Sequence, residues 1–253
     1  MKKILMTILV LILLIGAFAG CRPAATPQTD ESAAVQMQKP AKTTASPEGI
    51  EAFDVLDSKI TLWKSSIGTI WGQLIVEVKN TGTTPLYLTS SDFDLENEIG
   101  EPVDVMKVVG VYPSIIMPGE MAVYCNQTTM DKVTDETMQL KAVHRIQPKK
   151  AKNDQILFPA SDVSVEDSPY GGISAIGQIE NNTAEEQKMV YVAVVCRDEN
   201  EKVVTVLTTI LMDAIAPGET VWFEATALSL PDNITADQFK TFETYAYPLQ
   251  MQI

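Results

Sequence analysis

Alternating apolar and polar residues predict a β-strand over residues 73–79. There the apolar side chains of Leu74, Val76 and Val78 alternate with mostly polar neighbours, which is the period of a strand with one buried face. Asn80-Thr81-Gly82 follows, and these are turn residues, because Asn tolerates a left-handed backbone and Gly has no Cβ to clash. We therefore expect a strand that ends in a tight turn.

The same pattern returns about one hundred residues later, at Gly177–Thr183. A Pro-Gly-Glu turn follows each copy, at residues 118–120 and 217–219. The copies lie 101 residues apart when measured from Asn80 to Asn181, and 99 residues apart when measured from Gly119 to Gly218. The segments 121–124 and 220–223, directly after the two turns, are predicted as further strands. The sequence therefore indicates a duplicated all-β module.

Strand segments recur every eight to twelve residues or so with Gly, Pro, Asn or Asp between them, which is typical of a β-sandwich. We predict a first domain over residues 50–148, a linker over 149–155 and a second domain over 156–253. The predicted core of the first domain is Ile60, Leu62, Trp71, Leu74, Val76, Val78, Leu86, Leu88, Val103, Val105, Ile115, Val123, Leu140 and Val143. That of the second is Val165, Ile176, Ile179, Tyr191, Ala193, Val195, Val204, Val206, Ile210, Val221, Phe223, Ala225, Phe239 and Tyr245.

The segment 189–196 is apolar at successive positions, as a central strand covered on both faces would be. One face of this strand could pack on its own domain, while the other meets the first domain or a partner. The sequence leaves these two alternatives for the second face open.

Residues 1–20 have the pattern of a bacterial lipoprotein signal peptide. Lys2 and Lys3 precede an apolar run of about fifteen residues, which is shorter than the roughly twenty that a membrane-spanning helix needs. The run ends in Phe18-Ala19-Gly20-Cys21, which resembles the site where a lipoprotein is cleaved and its cysteine acylated. Cys21 is therefore the predicted lipidation site, and the chain is expected on the outer face of the cell membrane. An ordinary secreted protein and an uncleaved anchor are the alternatives.

Residues 21–49 are predicted to be a disordered tether. The segment holds four prolines, is rich in Ala, Thr and Ser, and lacks an aromatic residue, so it cannot bury a core. A flexible coil of this length spans on the order of 30 Å. Such a tether would hold the folded part away from the membrane.

The turns and strands of the two copies carry a resemblance to known families. In the first copy, Val78–Gly82, Pro85–Leu88, Ser91–Phe93 and Pro118–Glu120 resemble the telokin-like, immunoglobulin-fold domains of secreted lipoproteins. The second copy, with Gly177–Thr183, Val194–Asp198 and Pro217–Glu219, is similar to the FxLYD domain, although Cys196-Arg197-Asp198 replaces the usual aromatic-Asp pair. The resemblance implies two tandem immunoglobulin-like β-sandwich domains and an extracytoplasmic location. It brings no catalytic residues.

Charge and cysteine content narrow the function further. The net charge is −14, and loss of Lys2 and Lys3 with the signal peptide would lower it by two more. A chain this acidic repels phosphate backbones, so nucleic acid is not an expected partner. Cys125 and Cys196 fall in different repeats and are predicted to be buried free thiols, with an inter-domain disulfide as the alternative.

The sequence contains no recognisable set of catalytic residues. His144 is the one histidine of the chain and is predicted to lie in a strand, without a nucleophile motif beside it. A carboxylate pair could still act on a glycosidic bond, but no pair stands out. There is no Gly-rich phosphate loop or Cys/His cluster, so we predict that the protein is not an enzyme and needs no cofactor.

Two charged segments are candidate binding features. Residues 92–98 hold alternating acidic side chains that could bind calcium, or simply form the turn of a hairpin. The basic residues His144, Arg145, Lys149, Lys150 and Lys152 could meet an anionic cell-wall polymer, or be a solvated linker. We expect no metal site.

Large aromatic residues are the remaining candidates for recognition. Trp63, Trp71, Trp222, Tyr112, Tyr245 and Tyr247 could stack on sugars or contact a protein, although core packing is the default for most of them. Trp222 alternates with Val221 and Phe223, so we expect it to face outward, at a domain–domain or partner surface. The expected function is a non-catalytic binding module for a cell-envelope component or a protein partner. An accessory subunit of an envelope transporter or wall-synthesis enzyme is the alternative.

Overall fold

The computed structural model describes residues 49–168 and 171–249, and this part of the chain is all-β, as predicted. Ten strands lie in its first half: β1 (Phe53–Lys64), β2 (Ile70–Asn80), β3 (Leu86–Tyr87), β4 (Ser91–Glu96), β5 (Pro102–Val108), β6 (Gly110–Tyr112), β7 (Ile115–Ile116), β8 (Met121–Thr129), β9 (Lys141–His144) and β10 (Lys149–Lys150). The second half holds β11 (Ala160–Asp167), β12 (Ile173–Glu180), β13 (Val190–Arg197), β14 (Val203–Leu211), β15 (Thr220–Thr226), a 3-10 helix (Ala236–Gln238) and β16 (Thr241–Pro248). All neighbouring strands are antiparallel.

Two main layers make up the first half. One sheet has the order β1-β2-β8-β6 and the other has the order β5-β4-β9, while β10-β3-β7 forms a small third sheet. The two larger layers enclose a core that contains Leu74, Val76, Val78, Phe93 and Tyr124. The first half is therefore a sandwich of antiparallel sheets.

The second half repeats these layers within one curled sheet of order β11-β12-β15-β14-β13-β16. The strands β14 and β15 are paired only at Thr208 and Thr226, so this sheet folds over on itself around its own core. That core contains Ile179, Val192, Val194, Leu207 and Phe223.

The duplication is visible in matching hydrogen bonds around two buried asparagines. The Nδ2 of Asn80 donates to the carbonyls of Thr84 and Ile116 at 2.8 and 3.0 Å, and its Oδ1 accepts from the backbone N of Gly82 at 2.9 Å. The Nδ2 of Asn181 donates to the carbonyls of Glu185 and Ile215, both at 2.8 Å. Each asparagine thus ties the end of one strand to the segment just before the Pro-Gly-Glu turn.

The Pro-Gly-Glu turns are also equivalent in the two copies. Gly119 has a φ of +88° and Gly218 a φ of +75°, a left-handed conformation that favours glycine. The carboxylates of Glu120 and Glu219 accept a hydrogen bond from the backbone N three residues earlier, at 2.9 and 2.8 Å. The repeat read from the sequence is therefore a repeat of local geometry.

Most predicted core residues are buried or packed against the core, and three are exposed. Val105, Val143 and Ile210 were predicted as core, which is wrong, since their exposed fractions are 51%, 37% and 39%. At Val105 the reason is a bulge between β4 and β5, next to Leu95 and Glu96. A bulge adds one residue to one strand and so reverses the inward and outward positions beyond it.

The other two exposed positions are Val143 on β9 and Ile210 on β14. Val143 follows Ala142, which packs on the core, and side chains of a strand alternate between its faces. Ile210 lies opposite Tyr191 on β13, towards the end of β14, and 39% of its surface stays exposed.

The predicted central strand corresponds to β13, and its two faces pack on different cores. Val192 and Val194 point into the core of the second half, whereas Ala193 and Val195 pack against residues of the first half. The alternative left open by the sequence is settled: the second face meets the first repeat. All described residues belong to one compact unit.

The signal peptide, Cys21 and nearly all of the predicted tether lie outside the described residues. Within the described ranges, helices with the length and hydrophobicity needed to cross a bilayer are not found.

The predicted linker begins with β10, which pairs with β3 of the first half, and the side chain of Gln155 accepts a hydrogen bond from the backbone N of Ile115 at 3.2 Å.

Candidate binding cleft between the two repeats

The outer face of β2 is buried against the second half of the chain. The sequence predicted one buried face for this strand, and that is wrong, because Gln73, Ile75 and Glu77 on the opposite face are 4%, 5% and 7% exposed. Ile75 belongs to a third apolar cluster that also contains Val123 and Cys125 of β8 and Val195 of β13. The two repeats therefore share a buried interface.

Buried amide groups form a hydrogen-bond network across this interface. The Nε2 of Gln73 donates to the carbonyl of Val204 at 2.8 Å, and its Oε1 accepts from the hydroxyl of Thr205 at 3.0 Å. The Nε2 of Gln127 donates to the same Gln73 oxygen at 2.6 Å, and the Gln127 Oε1 accepts from the backbone N of Ser229 at 3.1 Å. Such bonds are directional, so they fix the two halves in one orientation.

A buried ion pair adds to the interface. The guanidinium of Arg197 on β13 lies 3.0 Å from a carboxylate oxygen of Glu77 on β2, and the side chains are only 8% and 10% exposed. The same guanidinium nitrogen donates to the carbonyl of Glu201 at 2.9 Å. Arg197 therefore supplies a buried cation that the first repeat neutralises.

A second ion pair joins the repeats at the surface. The ammonium of Lys202 lies 2.8 Å from the carboxylate of Asp57. This hydrogen bond holds the pKa of Asp57 below its ordinary value of 3.8. Because the pKa is lowered, the contact stabilises the folded state at pH values above 3.8. This contribution is lost as the pH falls through the lowered pKa of Asp57.

Beside the interface is a cleft of about 420 Å³ lined by four tyrosines, Tyr87, Tyr112, Tyr191 and Tyr247. The first two come from the first repeat and the last two from the second. The rings of Tyr191 and Tyr247 are stacked with their centroids 6.1 Å apart. This cleft exists only because the two repeats are held together.

Tyr247 is held in place by a hydrogen bond. The hydroxyl of Tyr247 donates to the carbonyl of Val111 at 3.0 Å, across the interface. Burial raises the pKa of Tyr112 and of Tyr247 well above its ordinary value, so both hydroxyls stay protonated over the physiological range. The hydroxyls of Tyr112 and Tyr247 are therefore neither charged nor nucleophilic.

A second cavity, of about 510 Å³, adjoins the cleft through Thr89 and Ser90, which line both. Its lining includes three basic residues, Lys107, Arg145 and Lys149, and one acidic residue, Asp92. Arg145 and Lys149 belong to the basic segment that the sequence singled out, while Lys107 comes from β5. The fold thus brings separate positive charges together on an acidic protein.

The other candidate residues from the sequence do not converge on this cleft. Of the acidic segment 92–98, residues 92–96 lie in β4 and residues 97–98 begin the turn to β5, where the Oδ1 of Asn97 accepts from the backbone N of Ile99 and of Glu101 at 3.2 and 2.9 Å. Among the described residues, no group of three or more acidic, His or Cys side chains is arranged to hold a metal ion. The segment forms the turn of the β4–β5 hairpin, which was one of the two alternatives from the sequence.

His144 and Trp222 are both at the surface. His144 ends β9, is exposed, and lies edge-on to the ring of Phe53 with the centroids 6.0 Å apart. Trp222 is 63% exposed and faces outward as predicted, but it is not a member of the cluster between the repeats. Neither residue lines the tyrosine cleft.

Cys125 and Cys196 are both free and buried, which agrees with the prediction of free thiols over a disulfide. Cys125 faces the interface between the repeats and Cys196 the core of the second half. Burial raises the pKa of both thiols to about 12, so they remain protonated and unreactive at neutral pH.

Comparison with protein-family models and with curated proteins gives no match for this chain.

Sequence reasoning found part of the cleft. Tyr112 and Tyr247 were among the aromatic candidates, but Tyr191 was predicted as core and Tyr87 was noted only within the segment Pro85–Leu88 that carries the family resemblance. Tyr87 and Tyr191 come together only through the contact between the repeats, and no local pattern encodes that contact. The available signal was the composition of β13, which has apolar side chains on both faces, more than packing on a single core requires.

Proposed function

We propose that this chain is a lipid-anchored binding module of the cell envelope, and that it recognises its ligand in the tyrosine cleft between the repeats. The observation that carries this proposal is the cleft itself, which four tyrosines of two rigidly joined repeats line. Concave sites with aromatic walls and a few polar groups are the usual form of binding sites. The resemblance to telokin-like and FxLYD domains supports an immunoglobulin-like assignment for both sandwiches.

The anchoring part of the proposal rests on the sequence of residues 1–21. Acylation of Cys21 would place the folded part outside the membrane at the end of a tether, since each buried methylene of an acyl chain contributes about 0.8 kcal/mol of membrane affinity. If the chain is instead an accessory subunit of an envelope enzyme or transporter, the same cleft would bind that partner protein.

A photo-crosslinking residue at Ser90 tests the proposal in cells. Ser90 is exposed and lines both the tyrosine cleft and the adjoining basic cavity. We expect light-dependent adducts with the Ser90 variant, and a chain found in the membrane fraction only while Cys21 is present. The matched control places the same residue at Ile67, which is 87% exposed and outside the cleft lining.

Two results would contradict the proposal. Adducts from Ile67 but none from Ser90 would place recognition elsewhere on the surface. A Cys21→Ser variant that is processed normally and stays in the membrane fraction would remove the lipid anchor.

A further inference from the structure

The tyrosine cleft and the basic cavity form one continuous surface. Tyr87 on β3 lies directly opposite Lys149 on β10, and directly opposite residues of an antiparallel pair carry their side chains on the same face about 5 Å apart. Tyr87 lines the cleft and Lys149 lines the cavity. A ligand that lies on the ring of Tyr87 is therefore within reach of a positive charge.

Three basic residues and one acidic residue, Asp92, line the cavity. Lys107 lies opposite Asp92 on the β4–β5 ladder, and Arg145 donates from its backbone N to the carbonyl of Asp92 at 3.1 Å. The guanidinium of Arg145 is already paired with Asp94. The ammonium groups of Lys107 and Lys149 form no ion pair with any carboxylate in the described ranges.

The charge balance of the cavity lining is opposite to that of the whole chain, since three basic side chains face one acidic side chain. The chain carries 33 acidic and 19 basic residues, for a net charge of −14. Two unpaired lysines in one cavity on such a surface attract an anionic ligand to that place and disfavour its binding elsewhere.

From this juxtaposition, we propose that the cleft and cavity bind one strand of an anionic polysaccharide. Sugar rings stack on the partly exposed rings of Tyr87 and Tyr191, whose faces are apolar, while Tyr112 and Tyr247 are buried behind them as the floor of the cleft. The acidic groups of the polymer, whether carboxylate or phosphate, contact Lys107 and Lys149. This inference rests on the proposed function, since it names the ligand class of the same cleft.

An anionic sugar polymer fits the lining better than a peptide does. The shared wall of Thr89 and Ser90 offers hydroxyl groups to the many hydroxyls of a sugar. The tyrosines line one shared cleft rather than separate deep pockets for individual side chains. A neutral polysaccharide would leave the two lysines without a partner.

Isothermal titration calorimetry with four polymers of matched length tests the ligand class. Decagalacturonate and phosphorylated dextran carry both sugar rings and negative charge, whereas dextran has only the rings and poly-L-glutamate only the charge. We expect at least one of the first two to bind ten times more tightly than either of the others. The first two differ in their acid group, so they also tell carboxylate from phosphate recognition.

Variants then assign the binding to the named residues. Tyr87→Ala and the double variant Lys107→Gln/Lys149→Gln should each weaken binding of the tighter polymer at least tenfold. Trp222→Ala and Lys59→Gln are the matched controls, because they remove an exposed aromatic ring and an exposed ammonium outside the cleft and cavity. Both controls should bind like the unaltered protein. The lysine variant changes only exposed side chains, so it tests the proposal even where Tyr87→Ala lowers stability.

Four results would overturn the inference. Equal binding of poly-L-glutamate would show that the surface accepts an acidic peptide, and equal binding of dextran would show that the lysines take no part. A loss of binding in Trp222→Ala, with no change in the lysine variant, would move the site to another face. Adducts from Ser90 in cells without binding of any glycan would leave the proposed function standing and reject only the ligand class.

Discussion

Asn80→Ala and Asn181→Ala are each expected to lower the free energy of unfolding by about 3 kcal/mol or more. Each side chain is fully buried and bonds three backbone groups, and those of Asn80 belong to Thr84, Ile116 and Gly82. Alanine would leave these groups unpaired, and a buried unpaired polar group costs about 1–3 kcal/mol. Urea denaturation followed by circular dichroism measures the change.

The neighbouring Asn182 provides the control. It is exposed, so Asn182→Ala should shift the urea midpoint very little. Asn80→Asp should be at least as damaging as Asn80→Ala, because a carboxylate would face two carbonyl oxygens where the amide donated. Midpoints for Asn80→Ala and Asn181→Ala that match the Asn182→Ala midpoint would contradict this account of the repeat.

Glu77→Ala is expected to cost about 3–5 kcal/mol, because it leaves the buried guanidinium of Arg197 without its carboxylate. Replacing both partners with apolar residues, as in Glu77→Leu/Arg197→Met, should restore most of the loss, since no buried charge then remains. Guanidinium chloride would mask the charges, so urea is the suitable denaturant for this comparison.

The exposed pair of Asp57 and Lys202 is the matched control for this prediction. It also joins the two repeats, but its side chains are 39% and 60% exposed. Exposed ion pairs contribute little to stability, so Asp57→Asn should leave the midpoint almost unchanged. An Asp57→Asn variant as unstable as Glu77→Ala would mean that burial does not set the strength of these contacts.

The sequence predicted the strands well where one local rule decides their structure. The turn at Asn80 and its copy at Asn181 were evident from turn residues alone. Their long-range bonds to the carbonyls of Ile116 and Ile215 were not evident, since these depend on a segment more than thirty residues away. Val105 was misplaced because a bulge reverses the alternation of β5, and a bulge leaves no clear mark in the residues of one strand.

The candidate cleft was less accessible to sequence reasoning than the fold. Gln73 and Glu77 have the polar character of a solvent-facing row, and they are buried because Thr205 and Arg197 of the other repeat satisfy them. Partners 120 and 132 residues away cannot be inferred from the period of a strand. The same contact creates the cleft, so its four tyrosines could not be grouped in advance.

The central claim is that the buried interface joins the two repeats into one body, which holds the cleft in shape. Differential scanning calorimetry of the chain from Arg22 onward tests it most directly. The interface predicts a single transition, with a van't Hoff enthalpy equal to the calorimetric enthalpy. Two separate transitions, each with about half of the total enthalpy, would show that the repeats unfold independently and would contradict the claim.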